Sequence, residues 1–158
     1  LFCYRRFTIY DEAGQEIIHM VATFVLMDRE SRKVHPVVPE IVAPYQSESS
    51  KKLLRGPKYA ELENAISKDY HVRFYDLDMN GHVNNSKYLD WIFEVMGADF
   101  LTNHIPKKIN LKYVKEVRPG GMITSSYELN QLESNHQVTS DGDINAQAKI
   151  TWQEINKD

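Results

Sequence analysis

The chain has 158 residues, of which 42% are hydrophobic and 11% aromatic, so it can build a packed core and lacks the composition of a disordered protein. Its formal net charge of −3 gives no general case for binding nucleic acid, and no apolar run approaches the roughly 18 residues of a membrane-spanning helix. Cys3 is the single cysteine, which excludes an internal disulfide framework and fits the reducing cytoplasm. The start shows neither an initiator Met nor a signal-peptide pattern, and we expect that upstream sequence is missing.

The first part of the chain has the pattern of a β-hairpin. Side chains alternate over residues 2–10, an acidic turn ends at Gly14, and a β-rich apolar run covers residues 17–27. Two strands cannot bury both of their faces alone, so we expect further strands to pair with them. Prolines break up the next stretch and leave room for one short helical turn near Glu40. Residues 46–57 are polar and predict a linker.

The middle of the chain predicts a strand followed by a long amphipathic helix. The strand is expected over residues 70–75. Asn84 or Asn85 can cap the helix, because a carboxamide oxygen accepts an N–H group of the first helical turn. An apolar stripe at spacings of three and four is typical of a helix packed on a sheet. The stripe consists of Tyr88, Trp91, Ile92, Val95, Met96 and Phe100.

Three β-rich stretches follow the helix. The first covers residues 109–113 and ends before a Pro-Gly-Gly break, and the second covers residues 122–133. The third begins at residues 136–140 and continues through an Asp-Gly-Asp turn into residues 144–155. This order of strand, helix and antiparallel strands predicts an α+β domain in which a curved sheet surrounds one central helix.

A polar connection of unusual composition lies between the strand and the helix, with the sequence Asp-Leu-Asp-Met-Asn-Gly-His-Val-Asn-Asn-Ser-Lys-Tyr over residues 76–88. Such a set of side chains can bind a cation, activate a water or hold an oxyanion. A purely structural turn is the simplest alternative, because Asp, Asn and Gly favour turns for backbone reasons. That alternative explains His82 and the two neighbouring carboxylates less well. The polar set consists of Asp76, Asp78, Asn80, His82, Asn84 and Asn85.

Metal binding is disfavoured by the sequence. Residues 76–81 match the first positions of an EF-hand calcium loop, but Lys87 stands where the loop needs a bidentate glutamate, and a predicted strand precedes it where a helix belongs. The histidines are scattered, with no pair at zinc-ligand spacing. We therefore expect neither a metal nor another cofactor.

Acid–base hydrolysis fits the loop better. A histidine and a carboxylate near a helix N-terminus can activate water, while amides hold the developing oxyanion. Such a site needs a further acid, and the candidate is Glu116, at the end of a predicted strand. Considered without the loop, Glu116 would be interpreted as a solvated surface acid. Spacing leaves a Ser-His-Asp triad open, but no serine lies in a Gly-x-Ser-x-Gly elbow. Cys3 has no obvious basic neighbour and is a poor nucleophile candidate.

Two motifs resemble a known family. Residues 76–91 closely resemble the signature of acyl–acyl carrier protein thioesterases of the bacterial and plant type, and Leu-Lys-Tyr-Val-Lys-Glu at 111–116 is similar to their second motif. Residues 4–6, 32–33 and 39–45 resemble the middle region of the same family. The resemblance covers essentially the whole chain.

The resemblance implies a tandem hot-dog architecture, in which each domain wraps an antiparallel sheet around a long helix. Residues 1–45 would be the closing strands of a first hot-dog domain that is incomplete in this chain. Residues 46–66 would be the linker, and residues 67–158 a complete second, catalytic hot-dog domain.

The catalytic residues implied by the resemblance are Asp78, Asn80, His82 and Glu116. Glu116 and His82 would share the activation of a water, Asp78 would orient the imidazole or attack directly, and Asn80 would help to polarise the thioester carbonyl. Plant members have a cysteine after the glutamate, and valine follows it here, which argues against an obligatory thiol mechanism. Outside this set, we expect Asp76 to shape the turn. We expect Asn84 and Asn85 to cap the helix, and Tyr88 and Trp91 to lie in its core.

The implied function is hydrolysis of the thioester of fatty acyl–acyl carrier protein, which releases a free fatty acid and terminates fatty acid synthesis in the cytoplasm. The partner is acyl carrier protein with its phosphopantetheine-linked chain. Because that carrier is acidic, Lys112, Lys115 and Arg118 are candidates for docking it. A homo-oligomer is compatible with the sequence. Two alternatives stay open: an acyl-CoA thioesterase of the same fold, and a hot-dog protein that binds acyl chains without catalysis.

Overall fold

The computed structural model describes residues 1–156, which form two compact units. The first unit is Leu1–Leu53, and the second begins at Leu54. Each unit has a sheet of its own. No helix in the described part of the chain is long and apolar enough to cross a membrane.

The first unit is built on the predicted hairpin. Strands β1 (Phe2–Tyr10) and β2 (Glu16–Met27) pair antiparallel, and the short β3 (Val34–His35) pairs with the end of β2. The turn between β1 and β2 is stabilised by the Asp11 carboxylate, which accepts backbone N–H groups. Helix α1 (Pro39–Val42) is the short helical turn expected near Glu40. None of residues 1–53 is buried, so the core of the described chain lies in the second unit.

The second unit contains one antiparallel sheet and one main helix. After residues 47–65, which form no helix or strand, the five-stranded sheet has the order β4-β6-β7-β8-β5. Helix α2 and the short helix α3 lie in sequence between β4 and β5. The bounds are β4 (Ile66–His71), α2 (Asn85–Glu94), α3 (Ala98–Leu101), β5 (His104–Tyr113), β6 (Met122–Asn130), β7 (Glu133–Ser140) and β8 (Asp143–Glu154).

Several predicted elements differ from the structure. Strands β5 and β7 begin earlier than expected, at His104 and Glu133. The strand expected over 70–75 is β4, which ends earlier at His71, and a 3-10 turn (Phe74–Asp76) follows it because the Asp76 carboxylate caps that turn. The predicted helix is interrupted at Gly97, whose φ of 84° no helix can continue through. The stretch expected over 122–133 ends at Asn130, where Gln131 adopts a left-handed conformation and turns the chain into β7.

Helix α2 packs its apolar stripe on one face of the sheet. Tyr88, Trp91 and Ile92 are buried on the helix. They belong to one core cluster with sheet residues such as Ile123 and Ile150, both essentially inaccessible to solvent. The Ser125 hydroxyl on β6 also donates to the Trp91 carbonyl over 3.0 Å. These contacts anchor the middle of the helix on the sheet, and the candidate site lies at the N-terminus of the helix.

Candidate active site

Asp76 organises the turn that leads into the site. Its carboxylate is 1% exposed and accepts the backbone N–H of Arg73 at 2.7 Å and the Arg73 guanidinium at 3.2 Å. Burial acts to raise the pKa of Asp76, but the hydrogen bonds from Arg73 outweigh it and leave the pKa below its usual value. Asp76 therefore shapes the turn, as predicted, and its oxygens bond Arg73 rather than pointing at a metal site.

Asp78 braces the loop that carries His82. Its Oδ1 accepts the backbone N–H groups of Asn80 at 2.8 Å and His82 at 3.0 Å, and its own N–H donates to the His82 carbonyl at 2.7 Å. The hydrogen bond from the His82 backbone is the main reason that the pKa of Asp78 is lowered, and Asn80 adds to it. Asp78 is therefore a carboxylate anion at neutral pH. We call residues 76–84 the loop half of the site.

The loop half ends at the helix. Asn84 is the N-cap of α2, since its side-chain oxygen accepts the Ser86 N–H at 3.0 Å. The Asn84 N–H donates back to the Asp76 carbonyl at 2.8 Å. This arrangement confirms the predicted cap. It also places the partially positive end of the helix dipole beside the loop.

The second half of the site is residues 114–117, which follow β5 and which we call the strand half. The backbone carbonyl of Asn145 on β8 accepts the N–H groups of Val114 at 2.8 Å and Lys115 at 3.2 Å. The hydroxyl of Tyr88 on α2 accepts the Val117 N–H at 3.2 Å. Burial raises the pKa of that hydroxyl, and the charge of Glu116 adds a smaller effect in the same direction. Glu116 is thus presented near the first turn of the helix.

The two halves line one pocket of about 410 Å³. The structure brings the predicted residues Asp78, His82 and Glu116 together there. Asn80 is not among the lining residues, and its amide groups instead contact Asp78. The other residues lining this pocket are Val83, Asn84, Asn85, Tyr88, Tyr113, Val114 and Lys115.

Sequence reasoning missed several of these lining side chains. Tyr88 was expected to lie in the core, and it is 3% exposed, yet its hydroxyl reaches the strand half. Tyr113 packs edge-to-face on Tyr88 with ring centroids 5.2 Å apart and donates to the Asn85 carbonyl at 3.0 Å. Neither role has a local signal, because both depend on the contact between β5 and the helix.

The three candidate docking residues lie in different settings. Lys115 lines the pocket and forms an ion pair with Asp143 on β8. Tyr113 faces the helix, so its neighbour Lys112 lies on the opposite face of β5. Arg118 is exposed after the strand half. Of the three, Lys115 alone is in the pocket wall.

The chemical capacity of the pocket is acid–base. It combines an imidazole with two carboxyl groups at the N-terminus of a helix, and none of its lining residues is a cysteine. Within residues 1–156, no group of three or more His, Cys, Asp or Glu side chains is arranged to hold a metal ion. His82, Asp78 and Glu116 can activate a water, and the N-terminus of the helix lies near the negative charge that would develop.

Comparisons with solved structures identify the fold. A crystal structure from Lactobacillus plantarum, provisionally described as an oleoyl thioesterase, matches with a TM-score of 0.91 and 33% identity over 99% of this chain and 64% of that one. The 12:0-ACP thioesterase from Umbellularia californica matches with a TM-score of 0.83 and 21% identity over 98% of this chain and 63% of that one. The fold is the hot-dog fold of these thioesterases, as the resemblance implied.

Family comparison makes the assignment more specific. Residues 59–154 match the acyl-ACP thioesterase C-terminal domain, and residues 1–45 match the N-terminal domain of the same family. The chain belongs to the acyl-ACP thioesterase family. It is also 26% identical over 139 residues to oleoyl-acyl carrier protein thioesterase 2 of Arabidopsis thaliana, a match that covers 80% of this chain and 37% of the relative. The chain thus spans little more than a third of that relative.

Proposed function

We propose that the protein hydrolyses the thioester between a fatty acyl chain and acyl carrier protein, releasing a free fatty acid and the carrier thiol and so terminating fatty acid synthesis. The observation that supports this most strongly is the convergence of Asp78, His82 and Glu116 on one pocket at the start of α2. The family assignment supports the substrate class. The expected cytoplasmic location is part of the same proposal.

The proposed reaction needs no covalent intermediate when water is the nucleophile. Glu116 and His82 take a proton from a water, whose oxygen attacks the thioester carbonyl carbon. The C–S bond then breaks, and the thiolate takes up a proton as the fatty acid leaves. Asp78 orients the imidazole in this route. In the alternative route Asp78 attacks the carbonyl carbon itself, the C–S bond breaks with loss of the thiolate, and a water then hydrolyses the resulting acyl–Asp78 anhydride to the fatty acid. The lowered pKa of Asp78 keeps it anionic for either role.

The oxyanion formed during the attack needs a donor or a positive field. The N-terminus of α2 at Asn85 lies in the wall of the pocket and supplies such a field. Asn80 is proposed to help to polarise the carbonyl. In the structure its contacts are with Asp78, so this role requires Asn80 to exchange those contacts for the substrate carbonyl.

The test is hydrolysis of a chain-length series of acyl–carrier thioesters by the wild type and by His82→Ala and Glu116→Ala. Each substitution should lower kcat/KM by roughly 100- to 10,000-fold, because each removes an acid–base group. His71→Ala and Glu94→Ala, at exposed positions outside the pocket, are matched controls that should retain activity. Full activity of both site variants would refute the site.

The two alternatives are separated by substrate. An acyl-CoA thioesterase would turn over acyl-CoA faster than the matched acyl–carrier substrate at equal chain length. A non-catalytic hot-dog protein would bind the acyl chain with no turnover of either. The acids and the imidazole in one pocket favour hydrolysis over binding alone.

The carrier is proposed to dock on basic residues near the pocket. Lys112→Glu and Lys115→Glu should raise KM for acyl–carrier thioesters more than for small thioesters, because the carrier is acidic. Lys112→Glu is the cleaner variant, since Lys115 also pairs with Asp143. Lys68→Glu on the opposite edge strand β4 is the control. An equal effect on both substrate types would exclude this docking surface.

A further inference from the structure

Asn145 lies on β8 at the point where β5 leaves the sheet. Tyr113, the last residue of β5, pairs with Ala146, so the strand half passes alongside Asn145. The Asn145 residue is only 1% exposed. Burying a carboxamide costs free energy unless its N–H donors and its oxygen form hydrogen bonds. The partners of the Asn145 side chain therefore indicate its structural role.

Among residues 1–156, the hydrogen bonds of the Asn145 side chain go to the strand half and to Ser140. Its Nδ2 donates to the carbonyl oxygens of Lys115 at 3.3 Å and Glu116 at 3.4 Å. Its Oδ1 accepts the Ser140 hydroxyl at 2.8 Å. The backbone carbonyl of Asn145 also accepts the N–H groups of Val114 and Lys115. Asn145 therefore bonds three consecutive residues of the strand half, 114–116.

From these contacts we infer that Asn145 is a positioning residue that holds Glu116 in the pocket, and that Ser140 orients its carboxamide. The Glu116 carboxyl reaches the pocket from a segment outside any strand or helix. Without the Asn145 donors, the carbonyl groups of that segment lose the contacts that fix their direction. A displacement of a catalytic group by about 1 Å can cost roughly 100-fold in rate. The kinetic part of this inference rests on the proposed function, whereas the holding of the segment does not.

The kinetic test is a double-mutant cycle of Asn145→Ala and Glu116→Gln on acyl–carrier thioesters. Asn145→Ala should lower kcat by roughly 10- to 100-fold with KM changed by less than about twofold. Because Asn145 acts through Glu116, it should have no further effect in the Glu116→Gln background. Full additivity of the two substitutions would overturn the inference.

Ser125→Ala is the matched control, since Ser125 is also fully buried and its hydroxyl, within the described part of the chain, bonds only the Trp91 carbonyl. It should cost stability without lowering kcat in either background. If Asn145→Ala fails to fold, Ser140→Ala is the milder variant, because it removes only the donor to the Asn145 carboxamide. It should lower kcat by a few fold, with the same dependence on Glu116, and an unchanged kcat would count against the inference.

Amide hydrogen exchange tests the holding of the segment without any turnover. Exchange at residues 114–117 should be faster in Asn145→Ala than in Ser125→Ala, while exchange in the loop half should match between the two. Equal protection at residues 114–117 would overturn the inference. A wild type that hydrolyses no thioester would overturn the proposed function instead, and the exchange comparison would still decide whether Asn145 holds the strand half.

Discussion

The loop half and the strand half of the candidate site are held by different kinds of contact. In the loop half, Asp78 bonds backbone groups two and four residues away. In the strand half, the partners Tyr88 and Asn145 are 29 and 30 positions distant along the chain from the residues they bond. The loop half is therefore largely a property of its own sequence, whereas the strand half exists only when the sheet and the helix are packed.

This difference has a consequence for stability within the site. Segments held by local hydrogen bonds can keep their shape when neighbouring elements open, but segments held by distant partners lose order with those partners. The reactive geometry needs both halves at once. The strand half therefore keeps its structure only while the sheet and the helix of the second unit stay packed.

Destabilising the sheet that both halves share should destabilise both halves equally. His136 on β7 allows the sheet to be destabilised by acid. The His136 side chain is 2% exposed, its Nε2 lies 2.7 Å from the Ser134 hydroxyl, and burial lowers its pKa from 6.5 to about 4. His136 takes up a proton near pH 6.5 in the unfolded chain and near pH 4 in the folded chain. The free energy of unfolding therefore decreases as the pH falls from 6.5 to 4. The loss should reach about 3 kcal/mol at pH 4.

Urea unfolding of the wild type and His136→Gln between pH 7.5 and 4 measures this effect. The variant cannot titrate, so its stability should fall less steeply below pH 6.5. Probes placed in the two halves should report the same midpoint at each pH. A steeper or equal slope in His136→Gln would contradict the assignment of the acid sensitivity to His136.

The loop half should respond to Asp76→Asn. This substitution removes the charge that pairs with Arg73 and weakens a buried set of hydrogen bonds, at a cost of about 2 kcal/mol at pH 7. Because the folded pKa of Asp76 is lowered, the difference from wild type should be present above pH 3.8 and vanish as the pH falls through the folded pKa.

The control for Asp76→Asn is Asp90→Asn, which breaks an exposed ion pair with Lys87 on α2 and should cost about 0.5 kcal/mol or less. Both are measured by urea unfolding at pH 7. A cost for Asp76→Asn no larger than that of the control would mean that the Arg73 contacts do not stabilise the loop half.

The strand half should respond to Tyr88→Phe. The change removes the acceptor of the buried Val117 N–H and should cost about 1.5 kcal/mol, because the donor is left unsatisfied. Hydrogen exchange should accelerate at residues 114–117 but not in the loop half. Equal acceleration in both halves would show that the two halves are coupled and that the loop half is not held by its own local contacts.

Tyr127→Phe, on β6 behind the helix, provides a matched loss of one phenolic hydroxyl away from the pocket. It should leave exchange at residues 114–117 as in the wild type.

The sequence predicted the polar loop well because its contacts are local. The spacing of Asp78 and His82, the N-cap at Asn84 and the buried face of the helix all depend on residues within a few positions of one another. The strand order after the helix followed from alternation and turn residues. The errors fell at element ends. Gly97 and Gln131 are two of them, where a single backbone conformation decides the boundary, and the end of β4 before the turn capped by Asp76 is another.

What the amino-acid sequence determined by itself is the α+β class of fold and the loop half of the site, since each depends on periodicity or on neighbouring residues. The family followed from the resemblance of residues 76–91 and 111–116 to its two motifs. What only the tertiary structure decided is how Glu116 reaches the same pocket as Asp78 and His82. That placement depends on the register of β5 with β8, which sets Asn145 beside the strand half, and on the packing of Tyr88 against Val117. Such pairings arise between elements far apart in the chain, and no local pattern encodes them.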